Sequence, residues 1–222
     1  MTNLARTQSG TMIEGGIVKG GVEYFTYPPP CTLVKVMEYQ WATNLIKNGS
    51  MRFGSLEFYR KMENAALGDP NDGKGMFRVK GDPYTIDSSN NIYAWCAALP
   101  VITPERIAVL AKHGKYDCLI RIHQPKILLH RVIIVLLANG GKLHLRLQCA
   151  EVSYNRGSEI DKATLNSQQF HFNVFQKDPR FAEDKEYRLF MTDVQPESEP
   201  RNHIDIQVGD CSDIMDIEDL PN

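Results

Sequence analysis

Apolar and polar residues alternate in several short segments of the chain, which is the pattern of half-buried β-strands. Strict alternation covers Leu143–Gln148 (LHLRLQ) and His203–Val208 (HIDIQV). Two further segments, Thr32–Met37 (TLVKVM) and Tyr116–His123 (YDCLIRIH), are rich in β-branched and apolar residues and are also predicted as strands. Tyr84–Asp87 and Ile92–Leu99 (IYAWCAAL) flank a turn-like segment and are predicted to form a hairpin. The second of these strands is nearly all apolar, so we expect it to be central.

Helical signals are confined to fewer segments. Apolar residues recur four apart from Trp41 onward, and Gly49 is a favourable left-handed stop, so a first helix is predicted to end there. Ser55 can cap a second helix over Leu56–Asn64. Thr103-Pro104-Glu105 combines the cap, the proline and the first-turn acid of a helix start, which predicts a third helix.

A fourth helix is predicted to open at Pro125, but its end stays open. Val132–Leu137 is β-branched, and Asn139-Gly140 suits either a helix stop or a hairpin turn. In total the pattern gives roughly seven or more strands and three or four helices, without the regular strand-helix repetition of a doubly wound sheet. It therefore predicts an α+β fold.

Local composition divides the chain into three parts. Residues 1–30 are rich in Gly, Thr and Ser and end in three consecutive prolines, so we expect a flexible N-terminal arm. Residues 31–195 are expected to fold as a single catalytic-type α+β domain. Residues 196–222 are expected to form an acidic C-terminal segment, with one strand packed on the domain and then a loose end.

The overall composition suits one globular core and gives an expectation of location. The 222 residues are 42% hydrophobic, with no apolar run long enough to cross a bilayer and no hydrophobic segment behind a basic start. The five cysteines are odd in number and form no CxxC pair, which favours reduced thiols in a cytoplasm. The histidines likewise lack metal-ligand spacing, so no metal site is expected.

The net charge of −2 hides an asymmetry along the chain. From Asp193 onward the segment carries −8, and the preceding body carries +6. A basic body suits an anionic ligand such as a dinucleotide or a nucleic acid, with the acidic segment competing for the same surface. The alternative is a mild excess spread over a whole surface, which carries no meaning for binding.

The segment Lys177–Met191 (KDPRFAEDKEYRLFM) places charges at strand spacing in an otherwise apolar run. Because side chains of a strand alternate between faces, Asp184, Glu186 and Arg188 are predicted to share one face, while the other face joins the core. A solvated charged face is the alternative interpretation of this pattern.

Other common catalytic and binding motifs are absent from the sequence. There is no GxGxxG or GxxxxGK[ST] phosphate loop, no GxSxG elbow and no HExxH helix. The acids of Gly68–Gly73 (GDPNDG) do not match a calcium loop, since Lys80 stands where the bidentate glutamate is needed. Turn chemistry explains this segment.

Three segments occur in an order that resembles a widespread uncharacterised bacterial family. They are LVKVM with its helix and GSMRFGSLEFYR, then GDPNDG, then KDPRFAEDKEYRLF. That family has a lysine-bearing first strand, an NDP-F-E-G-like turn (NDPxEG) and a late E-x-E-Y/W-R strand (ExEYR). The resemblance covers most of Thr32–Thr192, although Gly68 and Asp72 stand where the commoner forms have Asn and Glu.

This layout is in turn similar to the ADP-ribosyltransferase fold, notably that of the DarT-type enzymes that modify nucleic acid. The resemblance implies two small, mainly antiparallel sheets flanked by a few helices around a cleft that holds NAD. It nominates Glu186 as the catalytic acid and Asp184 as its substrate-orienting partner. Lys35 takes the first-strand position on the adenosine side, where His or Arg is usual.

The same resemblance suggests further contacts to NAD. Met51–Phe53, after the first helix, is predicted to be a second strand. Arg52 and Ser55, at the end of this strand, are placed to meet the diphosphate or the nicotinamide ribose, and Tyr59 could stack on the nicotinamide. Arg188 could keep Glu186 ionised or contact a phosphate. No metal is implied.

The function implied is that of an NAD-dependent mono-ADP-ribosyltransferase acting on a macromolecule, with nucleic acid favoured over protein as acceptor. A toxin or phage-defence effector is the implied biological role, with an antitoxin or regulatory protein as a partner and no membrane involved. Two alternatives stay open: an NAD glycohydrolase, in which water is the acceptor, and a non-catalytic module that binds nucleotide or nucleic acid on the same fold.

Overall fold

The computed structural model describes residues 5–6, 12–13, 18–19, 22–26, 30–61, 68–87, 92–138, 145–157, 172–193 and 201–221. The helices are α1 (Tyr39–Asn48), α2 (Leu56–Arg60), α3 (Pro104–Gly114) and α4 (Pro125–Ala138), with two 3-10 helices at Phe172–Phe175 and Pro179–Asp184. The strands are β1 (Ala5–Arg6), β2 (Met12–Ile13), β3 (Val18–Lys19), β4 (Val22–Thr26), β5 (Leu33–Met37), β6 (Ser50–Ser55), β7 (Lys74–Val79), β8 (Asp82–Asp87), β9 (Ile92–Ala98), β10 (Cys118–Ile122), β11 (Leu145–Glu151), β12 (Glu186–Asp193), β13 (His203–Gln207) and β14 (Met215–Glu218).

Most of the strands hydrogen-bond into one large sheet. Its order is β14-β10-β5-β9-β12-β11-β4-β3, and β6 and β13 join it beside β9 to make ten strands. The neighbours are antiparallel except for β11 and β4. The predicted α+β class is therefore confirmed. The strand pairing differs from the expected two small sheets, because the described strands on both sides of β9 are joined through it.

The sheet divides into two branches at β9. Along one edge of this strand, Tyr93 and Ala94 pair with β6, whereas Ala98 pairs with β5. One branch is thus β5-β10-β14 and the other is β6-β13. The two branches diverge on either side of Cys96, and we call this point the fork.

The helices cover the sheet on both faces. The largest core cluster includes Ala42 and Leu45 of α1 and Leu128 and Val132 of α4. On the opposite face, Ile107 of α3 packs under the β5 branch, and α2 packs against β9 and β12. That second face, between α2 and α3, carries the charged side chains of β12.

The local helix signals in the sequence are borne out where they are described. Gly49 ends α1 at φ 61°, and Thr103 caps α3 by accepting a hydrogen bond from the backbone N–H of Arg106. Ser55 caps α2, which extends to Arg60, while residues 62–64 of the expected helix lie outside the described residues. The open question after Pro125 is settled, since α4 runs through Val132–Leu137 to Ala138.

Two expectations about strands were wrong. A hairpin was expected between Tyr84–Asp87 and Ile92–Leu99, but β8 pairs with β7, and β9 pairs with β12 instead. The apolar β9 gains more from a central position in the main sheet than from pairing with β8 outside that sheet.

The second wrong expectation concerns the acidic end of the chain. A loose end was expected after one strand, but β14 follows β13 and pairs with β10. Ile214 and Met215 are buried in the main core, which fixes this segment in place. The predicted arm over residues 1–30 lies mostly outside the described residues, and the part that is described includes β4, parallel to β11. Among the described helices, none combines the length and apolar character needed to cross a membrane.

Candidate functional site

The predicted charged face of the late strand is only partly a strand face. β12 begins at Glu186, and Asp184 is instead the last residue of the 3-10 helix Pro179–Asp184. Lys185 between them has φ 47°, a left-handed conformation that breaks the strand alternation. Asp184 nevertheless returns to the neighbourhood of Glu186, because both carboxylates contact the ammonium of Lys177.

Glu186 lies in a buried position between two cations. Its side chain accepts a hydrogen bond from Nε of Arg188 at 2.5 Å and lies 2.6 Å from Nζ of Lys177. Only 7% of the residue is exposed. Burial by itself would raise the pKa of the carboxyl, but the charges of Arg188 and Lys177 outweigh burial and hold this pKa well below its usual range. Glu186 is therefore an ionised, fixed carboxylate.

Arg188 joins this carboxylate to the GDPNDG turn. Its guanidinium donates to both carboxylate oxygens of Asp72, at 2.7 and 2.9 Å, and to the carbonyl of Val174 at 2.6 Å. Burial disfavours the charged guanidinium, but Asp72 and Glu186 raise its pKa well above the ordinary value. We call Asp72, Lys177, Asp184, Glu186 and Arg188 the Glu186 cluster.

The GDPNDG segment is a turn, as predicted, yet its acids are buried. Asp69 accepts a hydrogen bond from the backbone N–H of Asn71, which closes the turn, and its other oxygen pairs with Arg156 at 2.7 Å. Arg156 also donates to the carbonyls of Asn71 and Gln176. The turn is thus held by two buried arginines. Within the described ranges, no group of three or more His, Cys, Asp and Glu side chains is placed to hold a metal ion.

Lys35 lies at the fork of the sheet. Its Nζ donates to the carbonyl of Cys96 at 2.5 Å and sits 4.9 Å from the centre of the Trp95 ring. This carbonyl lies where β5 and β6 diverge from β9, so the lysine links the β5 branch to β9 at the fork. Burial lowers the pKa of the Lys35 ammonium. The predicted first-strand residue therefore reaches the central strand beside the Glu186 cluster.

Arg52, Ser55 and Tyr59, which were predicted to contact NAD, lie in two different parts of the structure. Tyr59 packs against Gly54 and donates to the carbonyl of Ala94 at 3.3 Å, next to the fork, and Ser55 is buried as the cap of α2. Arg52 is not brought to the Glu186 cluster. Its side chain is 61% exposed and pairs with Asp205 of β13.

Several residues of the site were not predicted from the sequence. Lys177 and Asp72 complete the Glu186 cluster, and Arg106 of α3 pairs with Asp184 at 2.6 Å. Cys96 lies opposite Arg188 on β9, and burial together with the nearby charge of Glu186 raises the pKa of its thiol. One feature of the sequence could have predicted the pairing with Asp72. An arginine on an apolar strand is expected to be buried and therefore needs an opposite charge, and the GDPNDG turn carries acids that could supply it.

A cavity of about 210 Å³ opens elsewhere on the molecule, beside α3. Val34, Ile107 and Leu119 form its apolar side, and Arg121 and Glu218 form its polar rim. The predicted site residues do not line it.

The chain was compared with protein-family models, with curated proteins and with solved structures, and none of these comparisons gave a match.

Proposed function

We propose that the chain is an NAD-dependent mono-ADP-ribosyltransferase that modifies a macromolecule, with Glu186 as its catalytic carboxylate. One observation carries this proposal. Lys35 of β5 donates to the carbonyl of Cys96, and Arg188, which holds Glu186, lies directly opposite Cys96 in the pairing of β12 with β9. Lys35 and Glu186, nominated from opposite ends of the domain, thus both lie close to one residue of the central strand, Lys35 at the fork beside Trp95 and Glu186 on the face that α2 and α3 flank.

The chemistry needs a carboxylate of this kind. When the bond between nicotinamide and ribose breaks, both bonding electrons leave with nicotinamide, and the ribose becomes oxocarbenium-like, as a sugar does in glycoside cleavage. An ionised carboxylate held in place stabilises this cation more than it stabilises the neutral ribose. An oxygen or nitrogen of the acceptor then bonds to the ribose carbon and loses its proton. With water as the acceptor, the same site would be an NAD glycohydrolase.

The remaining predicted residues take supporting roles in this proposal. Arg188 keeps Glu186 ionised, and Asp184 orients the substrate from the end of the 3-10 helix. Lys35 of β5 and Tyr59 of α2 lie on either side of the fork and form the wall that binds NAD. Arg52 is left out, because it pairs with Asp205 at the exposed outer strand.

A specific observation favours a second candidate, a non-catalytic module that binds nucleotide or nucleic acid. The Glu186 carboxylate is already engaged by Arg188 and Lys177, and the residue is 7% exposed. Such a closed network can serve the fold alone, and charged groups of the body would then make the contacts to an anionic ligand.

The test is cleavage of NAD by the full chain in the presence of cell extract. Nicotinamide release by wild type and its loss in Glu186→Gln, by about a hundredfold or more, is expected from removing one preorganised charge. Glu183→Gln is the matched control, because Glu183 lies in the same 3-10 helix region and is exposed. Equal activity of wild type and Glu186→Gln would overturn the catalytic assignment.

The products separate the candidates. Label from NAD that becomes nuclease-sensitive indicates a nucleic-acid acceptor, and protease-sensitive label indicates a protein acceptor. Free ADP-ribose alone indicates a glycohydrolase. A wild-type protein that binds NAD or nucleic acid without releasing nicotinamide supports the binding module.

A further inference from the structure

Lys177 is a buried lysine whose backbone is fixed on both sides. Its N–H donates to the carbonyl of Ser153 at 3.0 Å, and its own carbonyl accepts from the N–H of Arg156 at 3.3 Å. Only 5% of the residue is exposed. Asp178, directly after it, caps the 3-10 helix that ends in Asp184. The backbone contacts on both sides of Lys177 therefore fix the position of its side chain.

This ammonium contacts both acids that the sequence nominated. Nζ lies 2.6 Å from Oε2 of Glu186 and 3.6 Å from Oδ2 of Asp184. The other oxygen of Asp184 is held by Arg106, and the other oxygen of Glu186 is held by Arg188. Each carboxylate therefore has one arginine of its own, and the two carboxylates share Lys177.

A shared ammonium has a clear physical effect on two neighbouring carboxylates. Without it, their like charges would repel each other at short range in a buried site, and one of them would tend to take up a proton. A lysine suits this position because its ammonium is a compact charge that can serve two acids at once, whereas the planar guanidinium of arginine favours bidentate contact with a single acid.

We propose that Lys177 is the positioning residue that holds the carboxylates of Glu186 and Asp184 together in their working arrangement. This inference rests on the proposed function, because it assigns to Lys177 the orientation of the catalytic carboxylate. Lys177 acts through Glu186 and Asp184.

Any pH effect at Glu186 depends on all the groups that face it. Burial disfavours the charged form of Lys177, but Glu186, Asp72 and Asp184 raise the pKa of its ammonium despite the opposing charge of Arg188. The groups near Glu186 come from β5, α2, the GDPNDG turn, β9, the segment after β11, the 3-10 helix with the residues before it, and β12; they are Lys35, Tyr59, Asp72, Cys96, Tyr154, Lys177, Asp184 and Arg188.

The experiment replaces Lys177 in the full chain by Met, which removes the charge, and by Arg, which keeps it. For NAD cleavage, we expect Lys177→Met to lower kcat by about a hundredfold with KM changed by less than about threefold, since a misplaced catalytic group affects the transition state. We also expect the acidic limb of the pH–rate profile to move to higher pH. Lys177→Arg should restore the position of this limb, because it keeps the charge, but should restore kcat only in part, because a guanidinium favours bidentate contact with a single acid. Lys126→Met, on the exposed side of α4, is the control.

A second measurement keeps the inference separate from the proposed function. Isotope-labelled glutamate carboxyl carbons report protonation by NMR, and Glu186→Gln identifies the resonance of Glu186. In Lys177→Met this resonance should titrate at higher pH than in wild type, whether or not nicotinamide is released. Lys177→Gln takes the place of Lys177→Met if the Met variant does not fold.

The outcomes are distinct. A wild-type protein without NAD cleavage defeats the proposed function, and the NMR titration still decides whether Lys177 controls Glu186. An unchanged titration of Glu186 in Lys177→Met, or in Lys177→Gln where it replaces the Met variant, overturns the inference, as does a loss of activity with an unchanged pH profile.

Discussion

Arg188 and Asp72 form a buried bidentate ion pair that joins β12 to a turn 116 residues earlier in the chain. The residues are 1% and 4% exposed, respectively. Because Arg188 also holds Glu186, the turn and the candidate site are parts of one charged network. The acids of the turn therefore belong to the site.

Removal of Asp72 is expected to be strongly destabilising. Asp72→Ala leaves the buried guanidinium of Arg188 with one carboxylate fewer, which should lower the free energy of unfolding by about 3–5 kcal/mol. Asp205→Ala is the matched control, since it breaks an ion pair of Arg52 that is exposed, and it should cost about 0–1 kcal/mol. Urea unfolding measures both, and similar costs for the two variants would contradict the network.

The stability of the protein should depend on Lys35 in a pH-dependent manner. Burial lowers the pKa of this ammonium in the folded state, so the unfolded chain binds more protons between the folded and unfolded pKa values. The free energy of unfolding of wild type should consequently increase relative to that of Lys35→Met as the pH rises towards the ordinary lysine pKa of about 10. Chemical unfolding at several pH values checks this, with Lys126→Met as the exposed control. A difference that does not change with pH would contradict the buried charge.

Gly49 should tolerate no side chain. It has φ 61°, and a Cβ atom placed on it would lie 2.2 Å from the carbonyl oxygen of Gly209. Gly49→Ala should cost more than the roughly 1–2 kcal/mol of the left-handed conformation alone. Gly209→Ala is the control, because Gly209 also has a positive φ but open space around its Cβ position. Thermal unfolding should rank Gly49→Ala as the less stable variant.

Deletion of residues 201–222 is expected to abolish cooperative unfolding. This segment supplies β13 and β14 and buries Cys211 and Ile214 completely. Three acidic charges of this segment can be removed without deletion by combining Asp213→Asn, Asp216→Asn and Glu218→Gln, which we call the charge variant. The partners of these acids, Arg131, His123 and Arg121, lie on the body.

The charge variant is the better probe of competition with nucleic acid. It should keep the fold, since surface pairs contribute about 0–1 kcal/mol each. If the acids compete for the basic body, it should also bind nucleic acid more tightly, with a steeper salt dependence. A truncated chain that still unfolds cooperatively would contradict the role of this segment in the core.

The sequence predicted those features that depend on a few adjacent residues. Gly49 could be assigned as a helix end, and Thr103 and Ser55 as caps, because each signal is complete within one helical turn. The apolar face of β12 was also predicted correctly: Tyr187, Leu189 and Met191 are buried. The end of α4 was not decided, because the burial that favours a helix there comes from the sheet beneath it.

The site was predicted less completely for the same physical reason. Asp184 was assigned to the strand face because nothing in a lysine at position 185 indicates a left-handed φ. Asp72 was read as a turn residue, since its partner Arg188 is distant in sequence. A charged residue on an apolar strand can be recognised from the sequence, whereas the residue that pairs with it is determined by the tertiary structure.

The separation of Asp72 from Arg188 along the chain also has a consequence for folding kinetics. Closing a loop of that length costs entropy, so this pair is expected to form only after β9 and β12 have paired. Interactions that form late contribute little to the folding transition state. Asp72→Ala should therefore act mainly by accelerating unfolding, and the charged network would then set the lifetime of the native state more than the speed at which it is reached.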